Sequence, residues 1–548
     1  MAVLNFKHLI FGSSSELYGG SQTLLVFLLI PCCLTRDFRA APIIPDKPLI
    51  WAWNVPTQPC ATKFKEPIDV SLFSLIGNPM KSATGQDVTL FYVDRLGYYP
   101  YIDHHNKEIY GGIPQLGSLQ EHLTKAREDI LHYIPTDKLG LAVIDWEEWR
   151  PTWDRNWKPK DIYRNKSIEL VQQRNVDLTL EEATQIAKTE FEMMGKSFML
   201  DTLKLGKSVR PQQLWGYYLF PDCYNHNYRR VDYNGHCPEI EKKRNDALRW
   251  LWEESTALYP SIYLHSDLGS THKAAVFTRN RIQESIKVSR VRDVKHPLPF
   301  FVYIRLVYTD KTTIFLNEED LMHTVGETVA LGASGIIVWG TLAWAQTVKS
   351  CLTLRSYMES TVTPYFINVT LASKMCSQAL CQDQGVCTRK YWDTDNYLHL
   401  NPASFTIESP QPGQYIVNGK PTLNDLQDFS NNFKCSCFPN MSCKERDDLE
   451  NIETINVCAT EDVCIEALMK TPSSAAHSHY KSPSAVFPCV SWGVVDDATC
   501  KTFLKHGARR TIFKCNITIG LFAHQCDLIP LAFISASNIG QPKICTKK

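Results

Sequence analysis

Between residues 45 and 345, short and almost uninterrupted apolar runs alternate with longer amphipathic stretches. The short runs are Leu49–Trp53, Val88–Val93, Leu141–Ile144, Leu214–Phe220, Ser261–Leu264, Phe300–Tyr308 and Gly335–Trp339. They are rich in β-branched and aromatic residues and alternate little with polar ones, which predicts strands covered on both faces. The stretches between them carry helix start signals. Ser118 with Glu121, and Thr179 with Glu182, are spaced as capping boxes, and each leads into an apolar stripe at helical spacing. Asn317 opens a third helix that hands over to the Gly335 strand. Repeated βα units of this length predict an α/β fold with a parallel sheet, and a closed barrel is the economical way to cover it.

The Leu141 run ends in Asp145-Trp-Glu-Glu-Trp-Arg150. In an extended chain, residues two apart share a face. Asp145 and Glu147 therefore project together, and Trp146 and Glu148 point the other way. Two carboxyls side by side repel when both ionise, so one pKa rises and a proton is available near neutral pH. A glycosidase needs that arrangement for its general acid. The plainer reading is an acidic strand end that caps a helix or pairs with Arg150. Barrel enzymes carry their active sites at the C-terminal ends of the strands, and that location brings the catalytic reading level with the plain one.

Composition narrows the setting. The 548 residues balance 58 basic against 58 acidic side chains, which excludes a bulk nucleic-acid binder. Thirteen Trp and 23 Tyr mostly fill a core, though such rings also stack on sugar faces. Lys7 and His8 precede the apolar run Leu24–Ile30, too short to span a bilayer, so residues 1–35 read as a signal peptide cleaved near Thr35. The remaining cysteines, and Asn-x-Ser/Thr sequons at Asn165, Asn368, Asn440 and Asn516, indicate an oxidising secretory route. Cys60 and Cys351 could tie the barrel region shut, and Cys223 and Cys237 bracket a loop. Cys376, Cys381, Cys387, Cys435, Cys437 and Cys443, with a compact Cys435-Ser-Cys437, suggest an EGF-like module carrying a long insertion. Cys458 and Cys464 would add one bridge. No CxxC pair or HExxH occurs, so a disulfide module outweighs a metal site.

The run Ala142–Pro151 resembles the signature of the animal hyaluronidases, glycoside hydrolase family 56. So do Asp161–Tyr163, Leu214–Tyr218, Phe220–Asn225, Ala257–Tyr263 and Gly332–Gly335. The likeness is greatest to the sperm-surface members and runs to about residue 465. It implies a distorted TIM-like (β/α) barrel over 36–360, an EGF-like disulfide-rich module over 361–465, and a Cys-containing tail over 466–548 to which no role attaches. It also implies the pairings Cys60–Cys351, Cys223–Cys237, Cys376–Cys387, Cys381–Cys435, Cys437–Cys443 and Cys458–Cys464.

By matched motif, Glu147 is the proton donor. Geometry speaks separately to Asp145: a retaining enzyme sets nucleophile and acid on opposite sides of the scissile bond, about 5 Å apart. Both carboxylates leave one strand face, so Asp145 is poorly placed to attack. The resemblance implies instead that the substrate's acetamido oxygen attacks while Asp145 orients the acetamide, offsets the developing charge and helps hold Glu147 protonated. It assigns Tyr218 and Tyr263 to hydrogen bonds around that group and Trp339 to its pocket wall. Tyr92 and Arg150 match further cleft positions. Arg150 and Arg305 are candidates to meet the polymer's carboxylates, and His226 stands where some members have Tyr. The expected partner is hyaluronan, with no cofactor, no metal and no nucleic acid, and the chain is expected to be monomeric. A chondroitin-preferring hydrolase and an adhesion protein that binds matrix glycan or an egg coat without cutting it are the alternatives. The expected location is extracellular, or the sperm surface or acrosome. The stretch Ile517–Phe533 is interrupted by His524, Gln525 and Asp527 and followed by a polar end, which does not match a GPI-anchor signal.

Overall fold

In the computed structural model, six of the seven apolar runs form strands, and Leu75–Gly77 adds one that no run marked. The structure describes residues 37–441 and 443–469 and, as backbone alone, two short strands further on. The expected signal peptide, Asn516 and the last five cysteines lie outside the described residues. Among the described residues seven parallel strands organise the α/β part: β1 (Ile50–Asn54), β2 (Leu75–Gly77), β3 (Val88–Tyr92), β6 (Gly140–Asp145), β7 (Gln213–Tyr217), β8 (Phe301–Ile304) and β9 (Gly335–Trp339). Between β3 and β6, β4 (Tyr101–Ile102) and β5 (Glu108–Ile109) form a small antiparallel hairpin.

The parallel strands form two sheets, ordered β2-β1-β9-β8 and β3-β6-β7. Single parallel bridges, Tyr218 with Tyr259, Leu258 with Phe300 and Ser261 with Tyr303, run from the end of β7 across to β8. On the far side the Asp87 amide donates to the Ile76 carbonyl at 3.0 Å. A side chain at Gly77 would meet the Val88 carbonyl at 2.5 Å, so only glycine permits that approach of β2 to β3. The expected strand at Ser261–Leu264 is not formed as such. Pro260, inside the bridged segment, has no N–H for a ladder, and the backbone pairs on either side of it by isolated bridges.

Strand periodicity sorts the side chains into two layers. Ile50, Ala52, Val88, Leu90, Leu141, Val143, Phe301, Tyr303 and Ile337 from both sheets meet in one interior cluster. Trp51, Trp53, Phe91, Ala142, Ile144, Trp215, Tyr217, Val302 and Val338 pack outward into the larger core shared with the helices. Both faces are dry, which is why the sequence shows continuous apolar runs. Among the helices, Leu119–Tyr133 begins with the Ser118 side chain accepting from the Glu121 amide, and Leu180–Val209 with a complete Thr179–Glu182 capping box. Asn317 caps the short helix Glu318–Leu321.

The helical run Val348–Cys381 passes through the expected boundary near 360. Beyond it come β10 (Gly385–Arg389) paired with β13 (Phe433–Cys437), the hairpin β11 (Phe405–Gln411) with β12 (Gln414–Gly419), and the hairpin β14 (Thr454–Cys458) with β15 (Cys464–Leu468). Buried Glu327 accepts from Arg279 at 2.6 Å, Arg389 at 2.9 Å and Tyr397 at 3.0 Å, clamping this segment to the α/β part. A separate unit, Ser474–Lys548, contains an antiparallel pair, β16 (Lys501–Phe503) with β17 (Ile512–Lys514). Among the described residues, no helix is long and apolar enough to cross a membrane.

Among the described residues six disulfides are formed: Cys60–Cys351, Cys223–Cys237, Cys376–Cys387, Cys381–Cys435, Cys437–Cys443 and Cys458–Cys464. The first joins residues 291 apart in sequence, so its loss frees the unfolded chain most. Replacing Cys60 and Cys351 together by Ser is expected to cost about 2–5 kcal/mol of unfolding free energy. Denaturant unfolding monitored by tryptophan fluorescence measures this, and an unchanged midpoint contradicts it.

Candidate active site

The interior-facing parity of the strands continues, one step beyond the dry layer, into polar and aromatic side chains. Tyr92 ends β3, Asp145 ends β6, Tyr218 follows β7, Arg305 follows β8 and Trp339 ends β9. Each is half-buried where its strand meets solvent. Tyr92 and Asp145 are partners in register, as are Asn54 and Trp339. The C-terminal ends of the parallel strands thus converge on one polar patch.

Asp145 carries the most perturbed acid of this patch. Its Oδ1 is sealed from solvent with no hydrogen-bond partner among the described groups. Burial lifts its pKa well above the ordinary carboxylate range, the Glu147 charge lifts it further, and Arg150 only partly offsets them. The strand ends there, and Trp146 turns into the core to stack on Tyr99 at 4.4 Å. Trp149 donates to the Pro100 carbonyl at 2.8 Å and anchors the other side of the turn. Glu147 is left exposed between the two tryptophans, its Oε1 accepting from Arg150 at 3.2 Å. Lys160 donates to the Glu147 carbonyl and, at 3.2 Å, to the Glu148 carbonyl. Of the two carboxyls, the structure buries Asp145 and leaves Glu147 open to solvent, and it is the neutral form of Asp145 that this burial favours. The strand end is covered, and the turn beyond it is not.

Aromatic side chains wall the carboxylates. Trp339 donates from Nε1 to the Tyr92 hydroxyl at 3.1 Å and stacks on Tyr263 with centroids 6.0 Å apart. Tyr218 donates to Ser261 at 3.3 Å and lies 6.0 Å from Tyr263. Burial holds the pKa values of Tyr92, Tyr218 and Tyr263 above the ordinary phenol range, so all three remain O–H donors at any physiological pH. The Arg305 guanidinium faces Trp339 at 5.3 Å and Tyr263 at 5.7 Å, and cation–π attraction holds it at the wall.

A cleft of about 320 Å³ adjoins this wall, lined by Arg150, Lys160, Tyr218, Tyr263, His226 and Arg281 among others. Burial and then the Arg281 charge push the His226 pKa down to about 4, and its Nε2 accepts from Arg281 at 3.1 Å. Burial disfavours ionised Asp222, but Arg281 and Arg155 outweigh it and hold its pKa at about 2. The cleft keeps a surplus of positive charge.

Three contributors had no signal in the sequence. Asn156, fully buried, accepts from the Arg150 amide at 2.8 Å and donates to the Arg150 and Thr152 carbonyls, pinning the turn that carries Glu147. Asn54 and Tyr303, both buried, sit on the interior face beneath the site, where the Asn54 side chain acts on the Tyr303 hydroxyl. Only the register of β1 against β9, and the parity of β8, reveal their place.

A buried carboxyl with a raised pKa beside an exposed one, at parallel strand ends walled by aromatic rings, is an arrangement that acid-assisted glycoside hydrolysis can use. The chain belongs to the hyaluronidase family, glycoside hydrolase family 56, whose model matches residues 38–447. It is 59% identical to mouse hyaluronidase-5 over 88% of this chain and 92% of that protein. It is also 59% identical to human hyaluronidase PH-20 over 86% of this chain and 93% of that protein. Among solved structures, bee venom hyaluronidase in complex with a hyaluronic acid tetramer superposes with a TM-score of 0.53 at 30% identity, covering 58% of this chain and 98% of that one.

Proposed function

We propose that this protein is an endo-acting hydrolase that cuts the β-1,4 N-acetylhexosaminide bonds of hyaluronan, with retention and with the substrate's acetamido oxygen as nucleophile. The Asp145–Glu147 pair at the end of β6, in a chain of the hyaluronidase family, carries this reading. The two sheets are the halves of a distorted (β/α) barrel over residues 36–360, and the disulfide-rich segment to 465 is an EGF-like module. Its setting is extracellular, on or near sperm, where it opens hyaluronan-rich egg vestments.

In the free enzyme the shared proton rests on Asp145. A sugar chain laid over the exposed Glu147 removes its water and raises its proton affinity. The proton passes to Glu147, which delivers it to the leaving glycosidic oxygen. Asp145, now a carboxylate, accepts the acetamide N–H and offsets the positive charge on the oxazolinium ring that forms when the acetamide oxygen bonds the anomeric carbon. Water then opens that ring and returns its proton to Glu147. Tyr218 and Tyr263 hold the acetamide against Trp339, and Arg150 and Arg305 face the polymer's carboxylates. No cofactor enters any step.

Incubating the pure protein with hyaluronan and, separately, with chondroitin, and sizing the products, tests this. Shortened hyaluronan is expected. Polymer that binds but keeps its length leaves an adhesion protein, and cleavage of chondroitin alone moves the substrate. Tyr218→Phe, which removes one buried donor without changing shape, is expected to lower kcat on the order of 10- to 100-fold with KM nearly unchanged. An effect confined to KM would place Tyr218 outside the reacting centre.

A further inference from the structure

A second groove, about 510 Å³ and sharing no lining residue with the first cleft, lies between the Val348–Cys381 helical run and the segment Leu400–Ile407 that follows β10. Its volume falls within the range of about 300–1,000 Å³ typical of small-ligand pockets. Phe315 and Tyr357, stacked at 4.4 Å, line one part, and Tyr365, Pro402 and Phe405 line the rest. Into the same groove opens Asn368, the first residue of the sequon Asn368-Val-Thr370. Its Oδ1 accepts the Leu400 amide at 2.9 Å. An N-linked sugar attaches to Nδ2 and leaves Oδ1 free to accept, so this bond and the modification are compatible.

We infer that the groove is the seat of the protein's own N-glycan. The first N-acetylglucosamine on Asn368 packs against the aromatic wall and fastens Leu400–Ile407 to the helix. Three observations converge on this occupant. The groove contains an acceptor asparagine at its lining. Aromatic rings are among its lining, the kind of side chain on which a pyranose stacks. Pro364 also lacks the N–H for a regular helical bond, and the helix widens into a π turn at Met358–Val362 that brings Ser360 and Thr361 to the rim. Modification must precede folding. Thr370, which the transferring enzyme has to read, is buried in the finished fold, accepting from Trp51 at 2.9 Å and donating to the Phe366 carbonyl at 2.7 Å. The sequons at Asn165 and Asn440 differ, since both asparagines are exposed and neither lines this groove.

Three forms of the full chain, secreted with high-mannose glycans, decide the matter: untreated, trimmed by an endoglycosidase that leaves one N-acetylglucosamine on each site, and the variant Asn368→Gln. Peptide mass is expected to show Asn368 occupied. Hydrogen exchange across Leu398–Ile407, with the Leu400 amide as direct probe, is expected to match in the first two forms. In Asn368→Gln it should rise roughly tenfold. Because that substitution also disturbs the Leu400 bond, full enzymatic removal on folded protein, which leaves Asp at 368 with an acceptor oxygen, must give the same rise. Asn165→Gln should leave this segment unchanged. An unmodified Asn368, or equal exchange with one sugar and with none, overturns the inference. These readouts are independent of activity, so they stand apart from the catalytic reading.

Discussion

Glu147→Gln is expected to reduce hyaluronan cleavage by roughly 10²- to 10⁴-fold, the range a positioned general acid contributes. The substitution keeps the side chain's shape and removes its charge and its capacity to exchange a proton. Glu147 is exposed, and its ion pair with the buried Arg150 at 3.2 Å is open to solvent on the carboxylate side, which keeps its contribution on the order of 1 kcal/mol. Stability and polymer binding should therefore change little, and the loss should fall on kcat. Viscometry and reducing-end release measure turnover, and co-sedimentation with the polymer measures binding. Cleavage at the rate of the unsubstituted enzyme would remove Glu147 from the mechanism.

The sequence reads this site unevenly, for physical reasons. Strand runs declare themselves because both faces of each strand are dry, and Gly335–Trp339 appears over those same residues as β9. Ser261–Leu264 has the same composition, but the preceding Pro260 deprives the backbone of a donor, and bridges replace a strand. The expectation that one carboxyl of the pair holds a proton follows from spacing alone. Which of the two the fold buries does not, because that depends on where the strand ends and on the turn that Trp146, Trp149 and Asn156 pin beyond it. Asn54 and Tyr303 are silent in sequence since their role comes from the register of distant strands. The Leu400–Ile407 segment is likewise legible only as an insertion between cysteines.

Asp145→Asn is expected to do two opposite things: lower kcat by about 10²- to 10³-fold and stabilise the protein at neutral pH. The first follows from removing the carboxylate that offsets developing positive charge. The second follows from linkage. Asp145 has a raised pKa in the folded state, chiefly through burial. Between its ordinary pKa of about 3.9 and that raised value, the folded protein holds a proton that the unfolded chain has lost. The contribution of this group is complete below the unfolded pKa and is lost as pH rises through the folded one, at about 1.4 kcal/mol per pH unit within the window. Asparagine cannot ionise and escapes that loss. The stability difference between Asp145→Asn and the unsubstituted protein should therefore grow in the variant's favour as pH rises across the window, while contributions from all other groups cancel. Glu147→Gln supplies the control. It removes a charge that lifts the Asp145 pKa, so the slope should persist over a narrower window ending at lower pH. Urea unfolding of the three proteins at a series of pH values measures this. A difference that stays flat with pH would show that Asp145 is ionised in the free site and that the proton rests elsewhere.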